Sequence, residues 1–194
     1  MPKIIGLTGG IGSGKTTIAN HIKQLGIPVY IADLEAKKIL DAKVIVGKII
    51  DAFGKDILEK DKIDRAKLSK VVFEQPEKLQ ILNSIIHPEV ARHFKNWVEE
   101  NENFEIVVKE TAILFESGSY KDCDKVILVT APKETRIQRV MKRDNLSREA
   151  IESRIANQWS EKKKESLSDF VIVNEELQEA LKSAENIISL LRNQ

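Results

Sequence analysis

Residues 9–16 read Gly9-Gly10-Ile11-Gly12-Ser13-Gly14-Lys15-Thr16 and match the pattern G-x-x-x-x-G-K-[ST] at every fixed position. The glycines permit backbone angles that other residues avoid, so successive N–H groups can point inward around a phosphate. We expect Lys15 to reach the β- and γ-phosphates of a nucleotide, and Thr16 to offer its hydroxyl to Mg²⁺. The stretch predicts a nucleotide site formed by Gly10, Ile11, Gly12, Ser13, Gly14, Lys15, Thr16 and Thr17.

The flanking sequence supplies the strand and the helix that such a loop requires. Residues 4–8 form a short apolar run that favours a buried strand, and Ile18, Ile22 and Leu25 then recur at helical spacing. Gly26 and Pro28 predict the end of that helix, because glycine suits a left-handed cap and proline cannot continue a helix.

Further apolar runs predict the rest of an α/β fold. Residues 106–108, 126–130 and 170–173 are uninterrupted by charge and are each followed by a helical pattern, and 29–31 form a shorter run of the same kind. Strands that alternate with helices predict a parallel five-stranded sheet flanked by helices, in one domain over 1–194. Between 34 and 103 only helical patterns occur, which predicts an inserted helical lobe in which Pro76 and Pro88 each begin a helix.

Composition excludes several classes of protein. With 31 Lys and Arg against 30 Asp and Glu, the net charge is +1, so we expect no nucleic-acid and no membrane partner. No apolar run approaches the ~18 residues of a membrane span, and no signal peptide is recognisable at residue 1, which predicts a cytoplasmic protein. The single cysteine, Cys123, is expected to be a reduced thiol.

A basic segment at 133–164 is a candidate lid over the nucleotide. It carries ten basic and five acidic residues, a net charge of +5 in a chain whose total is +1. Arg136, Arg139 and Arg143 share one helical face, and Ser147 suits the N-cap of a second helix. The alternative is a solvated charged helical hairpin, and residues 162–164 in particular are expected to be solvated.

The motif leaves the class of nucleotide-binding protein open between a metabolite kinase and a GTPase-type switch. A switch would place Asp-x-x-Gly directly after a strand and would contain Asn-Lys-x-Asp. No predicted strand is directly followed by Asp-x-x-Gly, and Asn-Lys-x-Asp does not occur in the sequence. A kinase needs a group that deprotonates or orients the acceptor hydroxyl. Asp33 and Glu110 follow predicted strands and are the two candidates, each with helix capping as the alternative.

The ordered set of motifs resembles the dephospho-coenzyme A kinase family over essentially the whole chain. The matching stretches are Leu7-Thr8 with 9–16, Ala32-Asp33, Ala36-Lys37, His87-Pro88, Leu114-Phe115-Glu116, Arg139, Arg143-Asp144, Asn157-Gln158, and Val171-Ile172 with Asn174. Three positions depart from the family pattern: Ile31 stands where an aspartate is usual, Ala112 replaces a proline, and Glu176 replaces a glycine.

The resemblance implies ATP-dependent phosphorylation of the ribose 3′-hydroxyl of dephospho-coenzyme A, with Mg²⁺ as cofactor. It implies that Asp33 is the catalytic carboxylate, that Lys15 and Arg139 act on the phosphates, and that Asn174 also binds the nucleotide. The lobe at 34–103 would bind the acceptor, with Asp33, Lys37 and His87 in that site. A buried structural histidine is the open alternative for His87.

Overall fold

The computed structural model describes residues 1–60, 62–73 and 75–193, so residues 61 and 74 of the predicted lobe, and residue 194, lie outside the described residues. The chain divides into two compact units. The first, called the sheet unit, contains Met1–Ile31 and Asn101–Gln194, and the second, called the helical unit, contains Ala32–Glu100. The division falls within a few residues of the predicted lobe boundaries.

The described elements alternate between strands and helices in the sheet unit and are mainly helical in the helical unit. In chain order they are β1 (Lys3–Thr8), α1 (Lys15–Gln24), β2 (Val29–Ile31), α2 (Ala32–Leu40), α3 (Lys43–Phe53), β3 (Leu58–Glu59), β4 (Lys62–Ile63), α4 (Arg65–Phe73), α5 (Pro76–Glu100), β5 (Ile106–Glu110), β6 (Lys125–Thr130), α6 (Lys133–Asp144), α7 (Arg148–Ala156), α8 (Glu161–Glu165), β7 (Phe170–Val173) and α9 (Leu177–Arg192).

The sheet unit is built on the predicted parallel five-stranded sheet, in the order β2-β5-β1-β6-β7. All residues of β5 are buried, as expected for a strand that is covered on both faces. The strand β1 lies between β5 and β6, with Leu7 opposite both Glu110 and Ile127. The carboxyl ends of the central strands therefore meet where the glycine-rich loop leaves β1, which is where ligands bind in sheets of this kind.

Side chains alternate between the two faces of this sheet. Ile5 and Leu7 are fully buried in the core to which α1 and α9 contribute Ile18, Ile22 and Ile188. Full burial of one such side chain contributes about 1.5–3 kcal/mol. Towards the other face, a Cβ on Gly6 would lie 2.7 Å from Leu114 Cδ2 and 3.0 Å from Cys123 Sγ. A glycine at this position therefore lets the segment after β5 pack directly on the sheet.

The helical unit has a core of its own, with Ile45, Ile49, Ile57 and Leu68 among its buried residues. The short antiparallel pair β3–β4 was not predicted, because two residues per strand carry no readable alternation. Pro88 was predicted to begin a helix, and this is wrong: it lies inside α5, which runs for 25 residues. Proline removes one backbone hydrogen bond, but the side chains packed at Leu82, Ile86, Val90, Phe94 and Val98 continue every four residues through it.

Helices α6 and α7 are the two helices predicted within the basic segment, and α8 follows them as a third helix that was not predicted. Asn145 ends α6 in the left-handed conformation, with φ 52°. Ser147 caps α7 as predicted, since its side chain accepts a hydrogen bond from the Ala150 N–H, and Ser160 caps α8 in the same way through Lys163. Across the described residues, no helix combines the length and the apolar character needed to cross a membrane.

Candidate nucleotide-binding site

The glycine-rich loop joins β1 to α1 in the conformation that the motif requires. Gly12 and Gly14 have φ of 79° and 90°, a region that side-chain-bearing residues rarely occupy. The Ser13 N–H donates to the Gly10 carbonyl at 3.0 Å, and the Thr17 N–H donates to the Gly14 carbonyl as α1 begins. The first turn of α1 thus presents main-chain N–H groups at the positive end of a helix, an arrangement that favours anions.

A pocket of about 190 Å³ lies beside this loop. Arg139 and Arg143 of α6 line it together with Lys15, so the fold brings the predicted lid arginine to the predicted phosphate loop. Within the described part of the chain its lining holds three cationic side chains and no carboxylate. The full lining is Gly12, Gly14, Lys15, Thr16, Thr17, Arg139, Val140 and Arg143.

Lys15 forms an ion pair with Glu110 at the end of β5. Its Nζ atom lies 3.3 Å from Glu110 Oε1, and the Glu110 side chain is almost completely buried. Catalysis and helix capping, the two alternatives considered for Glu110, both stay predictions. The pair holds the Lys15 ammonium at the carboxyl end of the sheet.

Arg139 and Asn174 connect α6, the segment after β7 and the phosphate loop. Arg139 donates from Nη1 to the Asn174 carbonyl at 2.9 Å and from Nη2 to the Glu175 carbonyl at 3.3 Å. The buried Asn174 side chain donates from Nδ2 to the Ser13 carbonyl at 2.8 Å. Both residues therefore contact the site, and in this structure their hydrogen bonds are to main-chain carbonyls.

The contacts of a second layer of polar side chains, which lie behind the loop, were not predicted from the sequence. The Ile11 N–H donates to Gln158 Oε1 at 3.0 Å. Arg136 was grouped with Arg139 and Arg143 on one helical face, yet it is buried and pairs with Glu161, with Nη1 3.3 Å from Oε1. No local spacing could indicate these contacts, because their partners belong to separate elements.

The expectation that residues 162–164 are solvated is wrong for Lys164. This side chain is fully buried, and its Nζ lies 3.0 Å from Glu116 Oε1. The same oxygen of Glu116 accepts the Trp159 N–H at 2.9 Å. The Leu114-Phe115-Glu116 motif thus anchors α8, because a buried ammonium requires a charged partner.

The predicted acceptor residues all lie in the helical unit. Asp33 is in the first turn of α2, with Lys37 in its last turn, and both are exposed. His87 lies within α5 and is exposed, so the alternative of a buried structural histidine is wrong. All three side chains are accessible to a ligand.

The residues of the pocket fit a magnesium ion bound together with a nucleotide. Thr16 is exposed at the start of α1 and lines the pocket next to Lys15. Its hydroxyl is a hard oxygen donor of the kind that Mg²⁺ prefers, and Mg²⁺ commonly takes its other ligands from phosphates and water.

Comparison with known proteins identifies the family. A sequence model described as dephospho-CoA kinase matches residues 3–179. The chain belongs to the dephospho-CoA kinase family. A dephospho-CoA kinase of Fusobacterium nucleatum is 42% identical over 172 residues, covering 88% of this chain and 89% of that protein. One of Carboxydothermus hydrogenoformans is 41% identical over 175 residues, covering 88% and 85%.

Solved structures agree with this family membership. The dephospho-CoA kinase of Campylobacter jejuni superposes with a TM-score of 0.75 at 31% identity, covering 100% of this chain and 98% of that one. TT1252 from Thermus thermophilus superposes with a TM-score of 0.90 at 33% identity, covering 97% of each chain. A shikimate kinase of Acinetobacter baumannii, with a TM-score of 0.54 at 17% identity over 100% and 94%, shares the fold alone.

Proposed function

We propose that this protein transfers the γ-phosphoryl group of ATP to the ribose 3′-hydroxyl of dephospho-CoA, giving CoA and ADP. The observation that carries the proposal is the pocket at the start of α1, which Lys15, Arg139 and Arg143 line together. Such a pocket suits a triphosphate, because several cations can balance its charge. Membership of the family favours dephospho-CoA as the acceptor.

In this proposal the residues of the pocket bind and orient the phosphates. Lys15 stabilises the negative charge that develops between the β- and γ-phosphates. Arg139 and Arg143, which lie on α6, neutralise charge on the transferring phosphoryl group. Residues 133–164 act as a lid that excludes water, so that ATP is not hydrolysed in place of transfer. Thr16 would hold Mg²⁺, which when bound neutralises charge on the β- and γ-phosphate oxygens.

We propose that Asp33 is the general base that takes up the proton of the acceptor hydroxyl. Its carboxylate is exposed, whereas Glu110 is buried and its charge is balanced by Lys15. A general base must reach the acceptor hydroxyl, and an exposed carboxylate can do so. Glu110 then serves to orient Lys15, and Lys37 and His87 contact the acceptor.

Product analysis tests this function directly. The protein is incubated with Mg·ATP and dephospho-CoA, ADP release is followed, and the product is examined by mass spectrometry and phosphorus NMR. We expect one phosphate to be added at the ribose 3′-oxygen, and no product with Lys15→Ala. ATP hydrolysis without transfer, or phosphate at another position, would contradict the proposal.

A further inference from the structure

The phosphate loop depends on residues outside it for its shape. Four of residues 9–14 are glycines, which contribute no side chain to the core and lose the most conformational entropy on ordering. A loop that binds phosphate through main-chain N–H groups must already hold them in place for binding to be strong. The side chains packed against its outer surface are therefore candidates for a functional role.

An ion pair between a buried arginine and a partly buried glutamate occupies that outer surface. Arg136 of α6 is 4% exposed, and its Nη1 lies 3.3 Å from Oε1 of Glu161, the first residue of α8. The other carboxylate oxygen, Oε2, accepts a hydrogen bond from Thr130 Oγ1 at 2.7 Å. Three elements thus fix the pair, namely α6, α8 and the end of β6.

The pair lies directly against the main chain of the loop. A Cβ added at Gly10 would collide with Arg136 Nη1 and would lie 2.6 Å from Glu161 Oε1. A Cβ added at Gly12 would collide with the main chain of Arg136. The pair therefore packs against the loop at Gly10, and the main chain of α6 packs against it at Gly12.

The segment that contains α8 contacts the loop at a second point and is itself anchored to the rest of the protein. Gln158, just before α8, accepts the Ile11 N–H at 3.0 Å. At the other end of α8, Lys164 is fully buried against Glu116. Helix α8 is thus fixed at both ends, and this allows it to support the loop.

We propose that Arg136 and Glu161 are positioning residues that hold the phosphate loop in its nucleotide-binding conformation. Neither residue lines the pocket beside the loop, so the pair acts through the main chain of Gly10. The inference rests on the proposed function only in taking ATP as the nucleotide. A pair that serves the fold alone would affect stability and leave ATP binding unchanged.

The test compares two glutamates of one helix. Glu161→Gln keeps the shape of the side chain and removes its charge, whereas Glu165→Gln makes the same change at an exposed position of α8. ATP affinity is measured by calorimetry, with the KM values for ATP and dephospho-CoA and the thermal midpoint alongside. We expect Glu161→Gln to raise the Kd and KM for ATP about tenfold, and Glu165→Gln to change neither. The KM for dephospho-CoA should stay within about twofold.

Two results would overturn the proposal. One is an unchanged Kd for ATP with a lowered thermal midpoint, and the other is an equal loss of ATP affinity in both variants. If Glu161→Gln does not fold, the test uses Thr130→Val, because this change removes a single hydrogen bond to Glu161. A Kd for ATP in Thr130→Val equal to that of the wild type would then overturn the proposal. A wild-type protein that binds ATP without phosphorylating dephospho-CoA would contradict the proposed function, while the comparison of ATP affinities would still decide this inference.

Discussion

Arg139 of α6 donates a hydrogen bond from Nη1 to the main-chain carbonyl of Asn174 at 2.9 Å, while the Asn174 side chain donates to the Ser13 carbonyl at 2.8 Å. A residue predicted to contact the nucleotide is thus linked, through the end of β7, to the phosphate loop. Arg139 also lines the pocket with Lys15. The arginine can therefore both carry charge to the phosphates and hold the segment after β7.

Arg139→Ala should slow phosphoryl transfer severely. Arginines that stabilise the transferring phosphoryl group contribute about 10³–10⁵ in rate, because they balance charge spread over its oxygens. Lys142→Ala is the matched control, since Lys142 is an exposed cation of the same helix. Turnover at saturating ATP and acceptor measures the effect. Equal losses in both variants would mean that α6 acts only through its overall positive charge and that Arg139 has no specific role.

Asp33→Asn should lower turnover by about 10²–10⁴ while ATP binding is kept, because the amide has the shape of the carboxylate and cannot accept the proton. Asp51→Asn, a change at an exposed aspartate of α3, serves as the control and should have no effect. Single-turnover kinetics and calorimetry with ATP separate the two quantities. A wild-type rate in Asp33→Asn would reassign the base to Glu110.

Lys164→Met should destabilise the protein by about 3–5 kcal/mol, because it removes the cation that is buried against Glu116 and leaves that carboxylate poorly compensated. Lys162→Met, two positions earlier on an exposed site of α8, should change stability little. Urea denaturation gives both free energies of unfolding. Similar stabilities for the two variants would mean that Lys164 is hydrated in solution.

Cys123 should react slowly with thiol reagents at neutral pH. Burial raises the pKa of its thiol to about 11, and the neighbouring charge of Lys109 opposes this shift only in part. The thiolate is the reactive form, so the rate of modification should rise with pH towards that value and not level off near the usual thiol pKa of about 8.5. Because the folded pKa is the higher one, this thiol's contribution to stability is complete below the unfolded pKa and is lost as the pH rises through the folded pKa. A rate that levels off near the usual thiol pKa would show that Cys123 is exposed.

The sheet and the phosphate loop could be predicted because their signals are local. Strands that are buried on both faces read as continuous apolar runs, and the loop motif fixes its residues within eight positions. The continuity of α5 could also have been predicted, since apolar residues recur every four positions from Leu82 to Val98. Proline favours a helix start at Pro88, but packing on both sides of Pro88 overrides this preference.

The polar contacts behind the site could not be predicted in the same way. Glu116 and Lys164 lie far apart in the sequence, as do Lys15 and Glu110, and only the tertiary fold brings each pair together. Helix α8 has no apolar residue to indicate a buried face, so Lys164 reads like its exposed neighbours. Partners set by topology carry no spacing that periodicity could detect.

A comparison of kcat/KM across acceptors, with Mg·ATP as donor, tests most directly whether dephospho-CoA is the acceptor of this protein. The acceptors are dephospho-CoA, AMP, the other nucleoside monophosphates and pantothenate, and ADP release is the common readout. We predict fast turnover with dephospho-CoA and a far smaller kcat/KM with each of the others. Comparable or faster turnover with AMP or another monophosphate would contradict it.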